Sequence, residues 1–580
     1  MIKAENLSYG FPDKDLYDRI CFTLEDGKHC VLIGSNGTGK TTLVDLIRRP
    51  EAYLYDGTLL QENVGRIGYV SQFASREKEL AVTVFDYLSE DFLLLQEKIG
   101  SVCAQMESAE DLDVLLEQYQ QLLDESESMD ADNYEVNIRR QLQLAELESK
   151  ADLALSNLSG GEYKLVQVIR QMLRRPGLLI MDEPDVFLDF ENLNGLRDLI
   201  NAYEGTLLVV THNRYLLEHC FDQIWHLENA DLQEFEGNFQ EYNLSRMQKK
   251  IELQEASNLG ASEIQRAEEM VERLRKEATE VVDPGKGRSL KAKVTYLERW
   301  KARQIKAPFV EIRQPDIRLP EVERTEAPAP LLEVTDYSLS FEKKLLEHVN
   351  FTVHAHEKVA IVGPNGTGKT TLLREIWSGK HPAIRFGETA KVGFFSQIQE
   401  ETLNEKNSIY QEFYDIGFET ERSVEEYLTR YCFDPATLHR TIHKLSGGEK
   451  NLLQLAKLAA GNANLLLLDE PSSHLDTFAQ IALEKAINTY QGAVLMVSHD
   501  FYSIANCADA ILYVENGTIR PMSPRAFRKM IYKHHFSRDY LELDTRKKDL
   551  ETRISRCLES GNCEEAKILC EELGALLKTI

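Results

Sequence analysis

The apolar positions of the chain fall into two kinds of pattern. Short unbroken runs, such as Cys30-Val31-Leu32-Ile33, Leu179-Ile180-Met181, Val359-Ala360-Ile361-Val362 and Leu466-Leu467-Leu468, read as buried strands. Elsewhere the apolar residues recur at helical spacing. Ile264, Ala267, Val271, Leu274 and Ala278 step by three and four residues. Leu290, Val294 and Leu297, with Trp300 at the next step, do so again after Asp283-Pro284-Gly285. Two amphipathic helices reversing at a Pro-Gly turn predict a hairpin over 244–307. Legs of ~25–30 residues at 1.5 Å per residue would project ~40 Å. Residues 101–150 follow a long helical pattern. So do residues 536–580, where Leu541, Leu550, Ile554, Leu558, Leu569, Leu573 and Leu576 flank a turn near Ser560-Gly561-Asn562. Pro308, Pro315, Pro320, Pro328 and Pro330 mark an extended connector over 308–330.

The strand-like runs belong to an internal repeat. Leu158-Ser-Gly-Gly-Glu162, Leu179-Ile-Met-Asp182-Glu183-Pro184 and Thr211-His212 return 287 positions later as Leu445-Ser-Gly-Gly-Glu449, Leu466-Leu-Leu-Asp469-Glu470-Pro471 and Ser498-His499. Gln72 and Gln397 stand 325 apart, so the first half carries 38 more residues between its glutamine and its Leu-Ser-Gly-Gly-Glu stretch. That insertion is assigned to 89–150. Two α/β domains, 1–243 and 331–535, follow from the repeat, with the hairpin and connector between them and a helical extension at 536–580.

Each half also carries a glycine-rich loop between an apolar run and a helix-like segment. These loops are Gly34-Ser35-Asn36-Gly37-Thr38-Gly39-Lys40-Thr41 and Gly363-Pro364-Asn365-Gly366-Thr367-Gly368-Lys369-Thr370, followed by Thr42 and Thr371. This pattern wraps phosphates in backbone N–H groups. Lys40 and Lys369 would reach the β- and γ-phosphates, and Thr41 and Thr370 would hold Mg²⁺. The fold class is therefore α/β with two phosphate-loop nucleotide-binding domains.

Charge changes the picture in two places. The 580-residue chain carries a net −28, which argues against nucleic-acid binding by the surface as a whole. Residues 284–306 run the other way, with eight basic residues (Lys286, Arg288, Lys291, Lys293, Arg299, Lys301, Arg303, Lys306) against Glu298. That local excess reads as a phosphate-contacting prong. Residues 101–150 hold thirteen acidic residues against three basic ones, and read as an arm that docks on a protein surface rather than on RNA. No apolar run reaches the ~18–20 residues that cross a bilayer. Nine cysteines without a C-x-x-C pair point to a reducing compartment, so a cytoplasmic protein without membrane contact is expected.

The ordered set of aromatic, phosphate loop, glutamine, Leu-Ser-Gly-Gly-Glu, Asp-Glu strand end and histidine resembles the ATP-binding cassette superfamily over nearly the whole chain. The resemblance implies that Phe11 and Phe341 stack on adenine, with Tyr9 a rival of Phe11. It implies that Asp182 and Asp469 steer Mg²⁺, that Glu183 and Glu470 orient or deprotonate the attacking water, and that Gln72 and Gln397 link metal and water. His212 and His499 would touch the γ-phosphate. Ser159-Gly160-Gly161 and Ser446-Gly447-Gly448 would each close over ATP held by the opposite cassette, giving two composite sites in one monomer. The halves are unequal: Phe187 and Asn213 stand where the family's usual His and Asp stand, and unequal rates are expected.

Two fused cassettes, an arm in the first and a basic hairpin between them are similar to the ABC-F family. That resemblance implies ATP-dependent binding in the ribosomal E site, with the hairpin at 23S-type rRNA and peptidyl-tRNA near the peptidyl-transferase centre. The arm would meet a ribosomal protein. Some members regulate translation and others relieve ribosome-targeting antibiotics. The hairpin departs from the family's basic–x–Lys–x–Leu in reading Lys293-Val-Thr295-Tyr-Leu297. A soluble ATPase subunit of a membrane transporter is the alternative, and a DNA-associated ATPase ranks behind it.

Overall fold

The computed structural model describes residues 1–11, 14–62, 64–72, 81–107, 112–186, 188–255, 315–322, 330–340, 344–532 and 538–578. Each half builds the same pair of sheets. In the first, β1 (Ile2–Phe11), β2 (Lys14–Leu24) and β4 (Asp56–Gln61) form an antiparallel sheet with β1 central. The second sheet runs β5 (Ile67–Val70), β6 (Leu178–Asp182), β7 (Thr206–Val210), β3 (His29–Ile33), β8 (Gln223–Glu228) and β9 (Asp231–Glu236), parallel except for β9. The other half repeats the plan with β10 (Pro330–Ser340), β11 (Lys344–His354) and β13 (Ile384–Phe386). Its parallel sheet runs β14 (Val392–Phe395), β15 (Leu465–Asp469), β16 (Ala493–Val497), β12 (Lys358–Val362), β17 (Ala510–Glu515) and an antiparallel β18 (Thr518–Met522). Parallel strands covered on both faces need continuous apolar side chains, and every residue of β6, β7, β15 and β16 is buried.

This topology gathers the site. β5, β6, β7 and β3 are neighbours whose C-terminal ends share a row: Val70 lies opposite Met181, Asp182 opposite Val210, and Leu32 opposite Val210. The segments leaving those ends are Ser71-Gln72, Glu183-Pro184, Thr211-His212 and the loop Gly34–Thr41. Residues far apart in sequence thus emerge at one sheet edge, where α/β folds bind ligands. β14, β15, β16 and β12 bring Gln397, Glu470, His499 and Gly363–Thr370 together in the same way.

The insertion of the first half contains the helices Val84–Met106, Asp113–Ser128 and Tyr134–Leu144. The middle one buries none of its own side chains. At the base, Asp91 accepts hydrogen bonds from Arg170 Nε at 3.0 Å and Arg174 Nη2 at 2.7 Å, on and just after the Gly160–Leu173 helix. Residues 315–322 run extended, with the Asp316 N–H on the Arg430 carbonyl at 2.7 Å.

A second unit is built from the helix at 239–255 and the helices Arg538–Glu559 and Cys563–Leu577. Its core holds Ile251, Leu550, Ile554, Ala566, Leu569 and Leu573, with Cys563 and Cys570 buried among them. Residues 256–314, with Lys286, Arg288, Lys291 and Lys293, lie outside the described residues, as do Phe187 and Phe341. Among the described residues no helix is long and apolar enough to cross a membrane.

Candidate functional site

The loop Gly34–Thr41 folds around Lys40, whose buried ammonium donates to the Gly34 and Ser35 carbonyls at 2.9 and 3.0 Å. Lys369 does the same to Gly363 and Pro364 at 2.8 and 2.7 Å. The Thr38 and Thr367 hydroxyls close the two turns on the Ser35 and Pro364 carbonyls, each at 2.9 Å. Gly39, with φ of 99°, needs its missing side chain, because a Cβ there would stand 2.9 Å from the Tyr17 hydroxyl. Tyr17 donates to the Gly39 carbonyl at 2.6 Å and also bonds Thr42. Burial lowers the pKa of both lysines.

At the end of β6, Asp182 accepts a hydrogen bond from Thr41; burial and the adjacent Glu183 charge push its carboxyl up to about 6. In the second half Thr370 Oγ1 donates to Asp469 Oδ1 at 2.9 Å, and burial again raises the carboxyl. Asp469 Oδ2 is buried with no hydrogen-bond partner among the described residues. A hydroxyl beside an unsatisfied carboxylate oxygen is a hard-donor set, and it fits Mg²⁺.

Glu183 and Glu470 follow with φ of 46° and 51°, a left-handed turn that each pins by donating its N–H to the neighbouring strand, to Val210 at 2.8 Å and Val497 at 2.9 Å. Their surroundings then diverge. Gln72 Nε2 donates to Glu183 Oε2. Gln72 is itself held by Lys164, a buried lysine that donates to the Ser71 carbonyl and, at 3.2 Å, to the Gln72 carbonyl. Burial would raise Glu183, but His474, His212 and Lys40 outweigh it and hold the carboxyl below its ordinary range. Glu470 accepts the His499 backbone N–H at 3.1 Å and faces His499 Nε2 at 3.5 Å. Burial and the Asp469 charge raise Glu470. Gln397 is exposed and reaches Asp469 through its backbone N–H. Burial, with Lys40 and Lys369 respectively, pushes His212 and His499 down to about 4, so both rings are neutral at pH 7. His212 Nε2 is buried without a hydrogen-bond partner among the described residues.

Each phosphate loop also touches the opposite half. The Asn36 N–H donates to Asp476 Oδ2 at 3.2 Å, and Asn36 Nδ2 donates to the His474 carbonyl at 2.9 Å. The Asn365 N–H donates to Asp189 Oδ2 at 3.1 Å. Ser159 and Ser446 cap their helices through reciprocal bonds with Glu162 and Glu449, leaving glycine N–H groups at positively polarised helix ends. Gly448 packs against Asn36, and a Cβ there would sit 2.6 Å from the His474 carbonyl. Gly447 lies against the His474 ring. On the other side, a Cβ on Gly160 would meet nothing within 4 Å among the described residues. Phe11 is exposed at the end of β1, edge-on to Tyr9 at 5.8 Å, while Tyr9 packs against Tyr17 and Tyr53.

Sequence reasoning missed Asp189, Asp476, His474 and Lys164. The two aspartates share the 287-residue offset, so the repeat itself could have singled them out. The partners of His474 lie in the other half, where no local pattern names them.

The profile of the ABC transporter family matches residues 17–186 and 346–473. The ATP-binding protein YfmM of Bacillus subtilis is 27% identical over 523 residues, covering 87% of this chain and 96% of its own. The energy-dependent translational throttle protein EttA of Escherichia coli K12 is 28% identical over 532 residues, covering 88% and 91%. Among solved structures, the archaeal ribosome recycling factor aABCE1, crystallised with the ribosomal stalk protein aP1, superposes with a TM-score of 0.51 at 18% identity, covering 92% of each chain. That likeness is one of fold.

Proposed function

Since the chain belongs to the ABC transporter family through both of its cassettes, stands with the tandem ABC-F proteins and is an ATPase that uses ATP with Mg²⁺, we propose that it spends that hydrolysis as a translation factor on the ribosome. In this reading the ATP-closed chain binds the E site and its basic linker, Lys286, Arg288, Lys291 and Lys293 included, lies against rRNA and peptidyl-tRNA near the peptidyl-transferase centre. The acidic arm meets a ribosomal protein, and hydrolysis releases the factor. Antibiotic protection of the ribosome is one form this activity takes. The observation that carries the reading is the contact of the first phosphate loop with Gly448, His474 and Asp476. One polypeptide holds both halves of a closed nucleotide sandwich, so the switch needs no second subunit. The translational role in EttA's name and the basic stretch at 284–306 supply the setting.

The chain's own groups divide the work. Lys40 and Lys369 exchange loop carbonyls for phosphate oxygens, and the loop N–H groups orient the chain of phosphates. Thr41 with Asp182, and Thr370 with Asp469, would hold Mg²⁺, which when bound neutralises phosphate charge. Glu183 and Glu470 orient the attacking water, with Gln72 and Gln397 alongside, and the neutral His212 and His499 rings hydrogen-bond the γ-phosphate. The glycine N–H groups after Ser446 and Ser159 complete each site from the opposite cassette.

The test uses Glu183→Gln with Glu470→Gln, which closes on ATP without turning over. Sedimentation of that variant through sucrose should show ATP-dependent comigration with ribosomes, weakened when the eight basic residues of 284–306 are neutralised. Recovery with membranes and absence from ribosomes would overturn the proposal in favour of a transporter subunit.

A further inference from the structure

We propose that His474 of the second cassette is a positioning residue for Glu183 of the first, and that it makes the site holding Glu183 the faster of the two. This rests on the ATP chemistry of the composite sites and not on the ribosomal setting.

His474 Nδ1 lies 3.8 Å from Glu183 Oε2 across the boundary between cassettes. Its backbone is fixed from both sides. The residue has φ of 57°, its carbonyl accepts Asn36 Nδ2 of the opposite phosphate loop at 2.9 Å, and the preceding Ser473 carbonyl accepts Asn451 Nδ2 of the Gly447–Ala459 helix at 2.6 Å. Gly447 lies against its ring. The residue is thus held between the Gly447–Ala459 helix of its own cassette, which meets its ring, and the phosphate loop of the other, which meets its carbonyl, with its ring nitrogen toward the glutamate. Because Asn36 and Glu183 belong to one cassette and His474 to the other, the histidine reaches the carboxylate only when the cassettes meet. A left-handed backbone at a residue with a bulky side chain is strained, and it persists where surrounding contacts enforce it.

The equivalent position of the other site offers no such group. At the 287-residue offset the position of His474 is filled by Phe187, whose side chain has no nitrogen to offer. Glu470 instead takes its contacts from His499 of its own cassette, at 3.1 Å through the backbone and 3.5 Å through the ring. Glu183 is therefore held by Gln72 of its own cassette and, on closure, by His474 of the other, whereas Glu470 takes its histidine contacts from its own cassette alone.

The experiment reads each site separately in the purified full-length chain. Glu470→Gln leaves the Glu183 site as the one that turns over, and Glu183→Gln leaves the other. In the first background, His474→Phe should lower kcat by about 5- to 20-fold, the loss expected for one modest polar contact on the carboxylate. KM for ATP should stay within about twofold, because the contact acts on the water-orienting carboxylate and not on nucleotide binding. His474→Gln, which keeps a donor, should restore most of the rate. In the second background the fall should be absent, and Phe187→His should raise kcat there. Where coupling between sites slows steady-state turnover, single-turnover hydrolysis of one ATP per chain reads the same rates. An unchanged kcat for His474→Phe in the Glu470→Gln background overturns the proposal. An equal fall in both backgrounds also overturns it, assigning His474 to interface packing. Absence of hydrolysis in the unmodified chain would instead count against the ATPase reading.

Discussion

Asp476 and Asp189 each do two jobs with one carboxylate. Asp476 Oδ1 caps the Thr477–Thr489 helix by accepting the Phe478 and Ala479 N–H groups at 3.1 and 2.9 Å, and its Oδ2 takes the Asn36 N–H from the other cassette. Asp189 caps Asn192 at 3.1 Å and takes the Asn365 N–H. Replacing either by alanine should cost about 1 kcal/mol of stability through the lost cap. It should also weaken nucleotide binding at one site alone: the Lys40 site for Asp476→Ala, the Lys369 site for Asp189→Ala. Urea unfolding and nucleotide titration in backgrounds with one functional phosphate loop check both parts, and equal weakening at both sites would refute the assignment. The contrast between these residues and the phosphate loops explains what the sequence made readable. Lys40, Thr41, Asp182 and Glu183 act within motifs whose spacing is local, and a repeat at fixed offset exposes them. Asp476, His474 and Lys164 act through neighbours chosen by how halves and helices pack, and a one-dimensional pattern does not carry that choice.

At the scale of elements, the arm is fastened to the helix that carries Ser159, Gly160 and Gly161. Burial would raise the Asp91 carboxyl, but Arg174 and Arg170 outweigh it and hold it down at about 2, against an ordinary value of 3.8. Arg170 also stacks on Tyr87 at 4.2 Å. A carboxylate with a lowered pKa contributes stability that is present above its unfolded value and is lost as pH falls from about 4 through about 2. A gap of nearly two units corresponds to about 2 kcal/mol at neutral pH. Asp91→Asn should therefore lose about 2 kcal/mol at pH 7 and differ little from the parent near pH 2, as judged by urea unfolding across that range. A constant deficit at every pH would show that packing, not charge, is what Asp91 supplies. The C-terminal helices make a parallel case. Their leucine periodicity was legible, yet only the folded chain pairs Leu550, Ile554, Leu569 and Leu573 with Ile251 at the root of the linker. Ending the chain at residue 537 should expose that face, and hydrogen exchange over 239–255 should then lose most of its protection.

Across the whole nucleotide-binding unit, the two cassettes are joined by a charge that has no counterpart. Arg214, two residues after His212, donates to Glu484 and, at 3.4 Å, to Asp500 of the other cassette, and its guanidinium lies 4.7 Å from the centre of the Tyr502 ring. Tyr502 in turn donates to Glu218 of the first cassette at 2.7 Å. At the 287-residue offset Arg214 becomes Phe501, Glu484 becomes Arg197 and Asp500 becomes Asn213. An arginine at 501 would therefore have faced an arginine; instead Phe501 packs near Phe190 at 6.3 Å. The pseudo-symmetric interface is thus polar and latched on one side, apolar on the other. Arg214 and Glu484 are both nearly excluded from solvent, so removing one leaves the other charge buried without its partner, a loss of about 3–5 kcal/mol, whereas removing both is far less costly. Arg214→Met should accordingly destabilise the chain strongly, and Arg214→Met with Glu484→Gln should recover most of that loss. The double-mutant cycle in urea should give a coupling energy above about 1 kcal/mol. Because Arg214 follows His212 of one site and Asp500 follows His499 of the other, the same variants should reduce the cooperativity of ATP hydrolysis between the sites. Additive effects on stability with unchanged cooperativity would mean that the apolar side, not the latch, couples the two cassettes.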